Sequence, residues 1–172
     1  MADQRTPQER LQPALLDRLT DDEPDRKLEP REQRVMSKSR MRQAVLRDLA
    51  WLFNATRFEG GSNLAKAPYA RRSVICFGLP ALSGRTASSL EVTDLERSIR
   101  QSILDFEPRI LPGTLQVRAL ESEQLEHHNV IGVEIHGQLW AQPVPLDLLV
   151  RTEIDLETGQ VSIADLAPSR VT

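Results

Sequence analysis

Few residues of this chain combine type and spacing in a way that could do chemistry. Glu107 is the carboxylate with the most distinctive setting. It closes a segment with an apolar stripe, Pro108 follows it, and Arg109 comes next. An acid in such a place could serve a peptidoglycan hydrolase of the muramidase type, but that chemistry needs a second carboxylate at a defined separation. Asp105 is two residues away, and spacing singles out no partner. With an arginine so close, Glu107 is set to hold its charge, the wrong direction for a general acid. His127 and His128 sit beside Glu121, Glu123 and Glu126. Two adjacent histidines can chelate a metal, yet no third ligand is fixed by spacing, so a solvated hairpin loop is expected and no metal is assigned. His136 lies among alternating apolar residues and reads as structural. Cys76, the one cysteine, reads as a small buried hydrophobe. There is no G-x-S-x-G, and Gly78-Leu79-Pro80-Ala81-Leu82-Ser83-Gly84 lacks the Lys-Ser/Thr of a phosphate-binding loop. No catalytic residue, cofactor or enzymatic activity is therefore expected.

Glu107-Pro108-Arg109 suggests something other than catalysis. Proline fixes the backbone and leaves two charges at a helix-to-strand junction. The arginine fork can hold a carboxylate of a partner or of its own chain in a bidentate grip. If the pair is an exposed intrachain bridge, it stabilises the corner by about 0–1 kcal/mol. Spacing does not choose between these.

Composition narrows the class. The chain has 172 residues, 22 basic and 25 acidic, for a net charge of −3, so binding nucleic acid by bulk charge has no support. One cysteine excludes a disulfide scaffold. No apolar run approaches a membrane span, and a cytoplasmic protein is expected. The charge is unevenly spread. Residues 1–40 carry nine basic and nine acidic side chains, four prolines and no aromatic residue; subtraction from 22 and 25 leaves 13 basic and 16 acidic for the rest. Such a stretch cannot offset an ordering entropy of roughly 1–2 kcal/mol per residue. Residues 1–36 are read as a charged extension and 37–172 as one folded domain. Within the extension, Leu11, Leu15, Leu16 and Leu19 follow helical spacing, with Asp17 and Arg18 between them. A helix this short is marginal alone. It either folds on a partner or packs on its own domain.

The elements that must position these residues follow from periodicity. Ser37 or Ser39 can cap a helix running to about Thr56, with Met41, Val45, Leu49, Leu52 and Phe53 on one stripe and Arg40, Arg42, Arg47 and Asp48 mostly off it. A loop with Gly60-Gly61-Ser62-Asn63 as a turn leads to a short strand at Ser73–Phe77. Thr93-Asp94-Leu95-Glu96 predicts a capping box before a second helix, striped by Leu95, Ile99, Ile103 and Phe106 and ended by Pro108. The period then changes to two, around Leu115–Ala119, Ile131–Leu139 and Leu148–Asp155, and Glu157-Thr158-Gly159-Gln160 turns into a last strand at Val161–Ile163. Two amphipathic helices must cover the apolar face of an antiparallel sheet of three to five strands. That is a two-layer α+β domain.

Taken together, certain segments resemble the TssE family of type VI secretion baseplate subunits, within the phage-baseplate-wedge, lysozyme-like family. They are Leu15-Leu16-Asp17-Arg18-Leu19 with Asp22-Glu23-Pro24, Val45-Leu46-Arg47-Asp48-Leu49, Ser73-Val74-Ile75-Cys76-Phe77-Gly78-Leu79-Pro80 and Phe106-Glu107-Pro108-Arg109-Ile110. The resemblance spans roughly residues 11–165, with the minor departure of Ala81 after the Gly-Leu-Pro. It implies an assembly protein that sits in the wedge with TssF and TssG, near TssK, at the inner face of the inner membrane. It further implies a sheet edge on which the TssB/TssC sheath starts to polymerise. By carry-over, Glu107, Pro108 and Arg109 are expected to contact the wedge, and Leu15, Leu16, Asp17, Arg18 and Leu19 to dock on a neighbouring subunit.

Overall fold

The computed structural model describes residues 14–20, 36–60, 64, 66–83, 91–120, 129–141 and 144–166. Most of the extension and the His127-His128 pair lie outside them, as do residues 61–63 of the glycine turn.

The described residues form a two-layer α+β domain. A short helix α1 (Leu15–Leu19) precedes α2 (Lys38–Asn54), a single-turn α3 (Pro68–Arg71), a 3-10 turn (Val74–Cys76) and α4 (Val92–Phe106). Four antiparallel strands follow: β1 (Gln116–Ala119), β2 (Val130–Leu139), β3 (Leu146–Asp155) and β4 (Val161–Asp165), in the order β1-β2-β3-β4. The central pair runs the full ten residues, from Val130 opposite Asp155 to Leu139 opposite Leu146. Val133, Ile135, Leu148, Val150 and Ile154 cover one face and are fully buried beneath Val45 and Leu49 of α2 and Ile99 and Ile103 of α4. Period-two and period-3.6 patterns thus meet in one core. Among the described residues, no helix is long and apolar enough to cross a membrane.

Ser37 caps α2, its hydroxyl accepting from the Arg40 N–H at 3.1 Å. Met36, assigned to the extension by composition, is buried in the core. The expected capping box of α4 does not form. The helix begins two residues earlier, at Val92 with Glu91 rather than Thr93 in the cap position, and no side chain caps it. Glu96 instead accepts from the Ala119 N–H at 2.7 Å and ties α4 to β1. A tertiary partner has taken the carboxylate that a local cap would have used. The strand expected at Ser73–Phe77 is also absent. No strand of the sheet pairs with it, so its donors turn to local acceptors: Cys76 N–H bonds Ser73 C=O at 3.0 Å and Phe77 N–H bonds Val74 C=O at 3.2 Å. His136, read as structural, stands exposed on the open face of β2. Cys76 is buried, as expected.

The expected hairpin turn joins β3 to β4. Gly159 adopts φ 74°, and the Asp155 carboxylate accepts from Glu157 N–H at 2.8 Å and Thr158 N–H at 3.2 Å. These bonds, that of Glu157 first, hold its pKa below the ordinary carboxylate value. A depressed folded value means the stabilisation is present above the unfolded pKa and lost as pH falls through the folded one. Asp155→Ala is therefore expected to remove part of the acid-linked slope of stability. The check is to compare urea midpoints of the two proteins from neutral pH down to about pH 3. Identical slopes would show that the turn does not use the charge.

Candidate partner-binding site

The corner expected at residues 107–109 is built at the end of α4. Glu107 departs from helical geometry before Pro108, with φ −121° and ψ 80°, and its N–H still bonds the Ile103 carbonyl. Beyond it, Ile110 bridges Leu139, and the Trp140 N–H donates to the Arg109 carbonyl at 2.7 Å. The corner is pinned to the last residue of β2.

The two charges of the corner are turned on each other. Glu107 is 4% exposed, one of three buried polar residues among those described. Its Oε1 accepts from Arg109 Nε at 2.7 Å and from the Arg109 backbone N–H at 3.1 Å, and its Oε2 from Arg109 Nη2 at 2.5 Å. The same Nη2 also bonds Asp48 Oδ2 on α2. Burial by itself would lower the Arg109 pKa, but the hydrogen bonds and charges of Glu107, and then of Asp48, reverse this and hold it above its ordinary value. The intrachain reading of the corner is the one realised. Unlike an exposed bridge, it is largely withdrawn from water.

The chain of charges continues. Asp48 Oδ1 accepts from Arg47 Nε at 2.9 Å, and Arg47 Nη1 reaches Asp17 Oδ1 of α1 at 2.7 Å. Asp17, Arg47, Asp48, Arg109 and Glu107 therefore form one alternating ladder across three separate elements. The Arg47 guanidinium also lies 5.1 Å from the centre of the half-exposed Trp51 ring. Helical pattern placed Arg47 and Asp48 off the core stripe and gave them no role. The signal that could have found them was their presence in the Val45–Leu49 segment that carries the resemblance.

The ladder brings together the two groups that sequence named separately. Asp17 fastens α1 to the domain by its carboxylate. Leu15, Leu16 and Leu19 face outward, 71%, 42% and 74% exposed, and Arg18 is exposed as well. Pro108 is exposed, while Glu107 is sealed behind Arg109. The accessible surface is thus three leucines, Trp51, Trp140 and Pro108 around a partly buried ionic spine. Aromatic and aliphatic groups of this kind form the centres of protein interfaces.

A family model, baseplate wedge protein gp25, matches residues 39–144. The chain belongs to that family. All of helix α2 but its first residue, the corner, β1 and β2 fall inside the match, while α1, β3 and β4 lie outside it. The same comparisons find no match among curated proteins or solved structures. The resemblance to TssE therefore holds at family level, and a gp25-family chain is a structural component of a baseplate wedge. Such a component meets other baseplate subunits.

Proposed function

We propose that this gp25-family chain is a TssE-type subunit of a type VI secretion baseplate. It binds TssF and TssG in the wedge, lies near TssK on the cytoplasmic side of the inner membrane, and starts TssB/TssC sheath polymerisation from a sheet edge. The family match across the Glu107-Pro108-Arg109 corner carries this reading. The sheet supports it further. In the β3–β4 register, Leu166 N–H bonds Leu149 C=O, which leaves the N–H and C=O of Ile163 directed away from the sheet. Outward-directed edge groups can accept an added strand.

The work proposed is assembly rather than catalysis. Both oxygens of the one carboxylate that could serve a hydrolase are held by Arg109 and buried. Purified protein is expected to leave the turbidity of a cell-wall suspension unchanged. Lysis that is lost in Glu107→Gln would restore the hydrolase reading.

Co-purification with TssF and TssG tests the main proposal. Removing residues 1–30 deletes α1 and the Asp17–Arg47 bond but, among the described residues, none of the buried core. The shortened chain should keep a cooperative thermal transition within a few degrees of the full chain. It should bind the wedge subunits at least tenfold more weakly, about 1.4 kcal/mol. Undiminished binding would remove α1 from the site, and failure of the full chain to co-purify would sink the baseplate assignment.

A further inference from the structure

A second surface stands apart from the ladder. Phe58, Tyr69, Val74 and Ile75 are 59%, 91%, 84% and 54% exposed. They belong together. Phe58 N–H donates to Ile75 C=O at 3.4 Å, and the bonds from Arg72 N–H to Tyr69 C=O and from Ser73 N–H to Ala70 C=O fold the chain so that Tyr69 and Val74 flank one turn. The backbone beneath is fixed. Cys76 is buried, the Phe77 ring meets Phe106 edge-on at 5.3 Å, and Leu79 pairs with Thr56. The most apolar run of this region, Val74 to Phe77, thus divides into an outward half and an anchored half. Large apolar groups held outward on a fixed backbone mark an interaction site.

The rim gives the chemistry of what covers it. Lys66 and Arg71 are exposed and, among the described residues, have no acidic partner, whereas Arg57 is paired with Glu59 and Arg72 with Asp105. From Arg57 to Ile75 there are four cationic side chains and one anionic, in a chain whose net charge is −3. Two unpaired cations fall short of the roughly four to eight used by polybasic membrane patches, and α3 has only four residues, too short for a helix lying in a lipid interface. They suit directed pairing with carboxylates. We infer that Phe58, Tyr69, Val74 and Ile75, rimmed by Lys66 and Arg71, form a docking surface for an acidic amphipathic segment of a partner protein, separate from the site at residues 107–109.

The test is a titration of the full, isotope-labelled chain with a synthetic helical peptide carrying leucines on one face and glutamates beside them. A second peptide with lysine in place of each glutamate is the control. Shift changes should centre on residues 57–76, weaken at least tenfold in Lys66→Glu/Arg71→Glu, and be absent with the lysine peptide. Tyr69→Ala should weaken binding without moving the thermal midpoint. Absence of shifts at millimolar peptide, shifts centred elsewhere, or equal binding of the lysine peptide overturns the proposal. Tighter binding of the same residues to phosphatidylglycerol vesicles than to the acidic peptide overturns it in favour of a membrane.

Discussion

Arg109→Glu should destabilise the domain by about 3–5 kcal/mol, because it leaves the buried Glu107 carboxylate without its counter-charge and sets a second acid beside it. Spacing alone left the outcome open, since an arginine displayed to a partner could be reversed at little cost to the monomer. Arg109 is not displayed: its guanidinium closes both Glu107 oxygens and bonds Asp48. For a chain of 172 residues such a loss corresponds to a fall in Tm of roughly 10 °C. The decisive comparison is with Glu107→Leu/Arg109→Met, which removes both charges while keeping bulk. Replacing a whole buried pair by apolar groups is commonly near neutral, and Asp48 keeps Arg47 as its partner. The double variant should therefore be the more stable of the two. Urea titration of both proteins against the parent checks this. An unchanged midpoint in Arg109→Glu would show that the ladder does not bear on stability, and the corner would return to being a surface patch. If the ladder holds as described, loss of wedge binding in Arg109→Glu cannot be read as loss of a direct contact. Binding should instead be probed at exposed positions, such as Leu15, Leu19 and Trp51.

How much of this was legible beforehand follows from which interactions are local. The stripes of α2 and α4 and the alternation of β2 and β3 fixed the two-layer architecture, because burial of Leu49, Ile103, Ile135 and Val150 repeats with the element's own period. Tertiary competition was not legible. Glu96 sits where a capping box would use it, and only the arrival of β1 diverts it to Ala119 N–H. Ser73–Phe77 has strand composition but no strand beside it. The site was half legible. Glu107 and Arg109 share a short segment and could be named, but their third partner, Asp48, is 61 residues from Arg109. Asp17 joins through Arg47, 30 residues further along the chain. Contacts at such separations leave no periodic trace.

Gly78→Ala should cost about as much as breaking the ladder, by a wholly different mechanism. Gly78 has φ 123°, a conformation that L side chains rarely adopt, and a Cβ there would lie 2.2 Å from the Ala55 carbonyl oxygen and 2.9 Å from Arg57 N. Neither obstacle is a side-chain tip that can swing away. The Ala55 oxygen accepts from Leu79 N–H at 2.9 Å, Leu79 C=O accepts from Arg57 N–H at 2.8 Å, and the buried Ser102 hydroxyl donates to Gly78 C=O at 2.9 Å. Relieving the clash means parting this bridge. Backbone strain of about 1–3 kcal/mol then adds to two or three lost bonds of about 0.5–1.5 kcal/mol each. A loss of about 3–5 kcal/mol is expected by urea titration. Gly113→Ala is the control, since its Cβ would meet nothing within 4 Å, and a change within about 0.5 kcal/mol is expected there. Equal effects at the two glycines would refute the steric account. The same bridge anchors the backbone under Phe58 and Ile75, so Gly78→Ala should also broaden the resonances of residues 57–76 at temperatures where the core remains folded. A variant that lost stability but left those resonances sharp would separate the bridge from the docking platform above it.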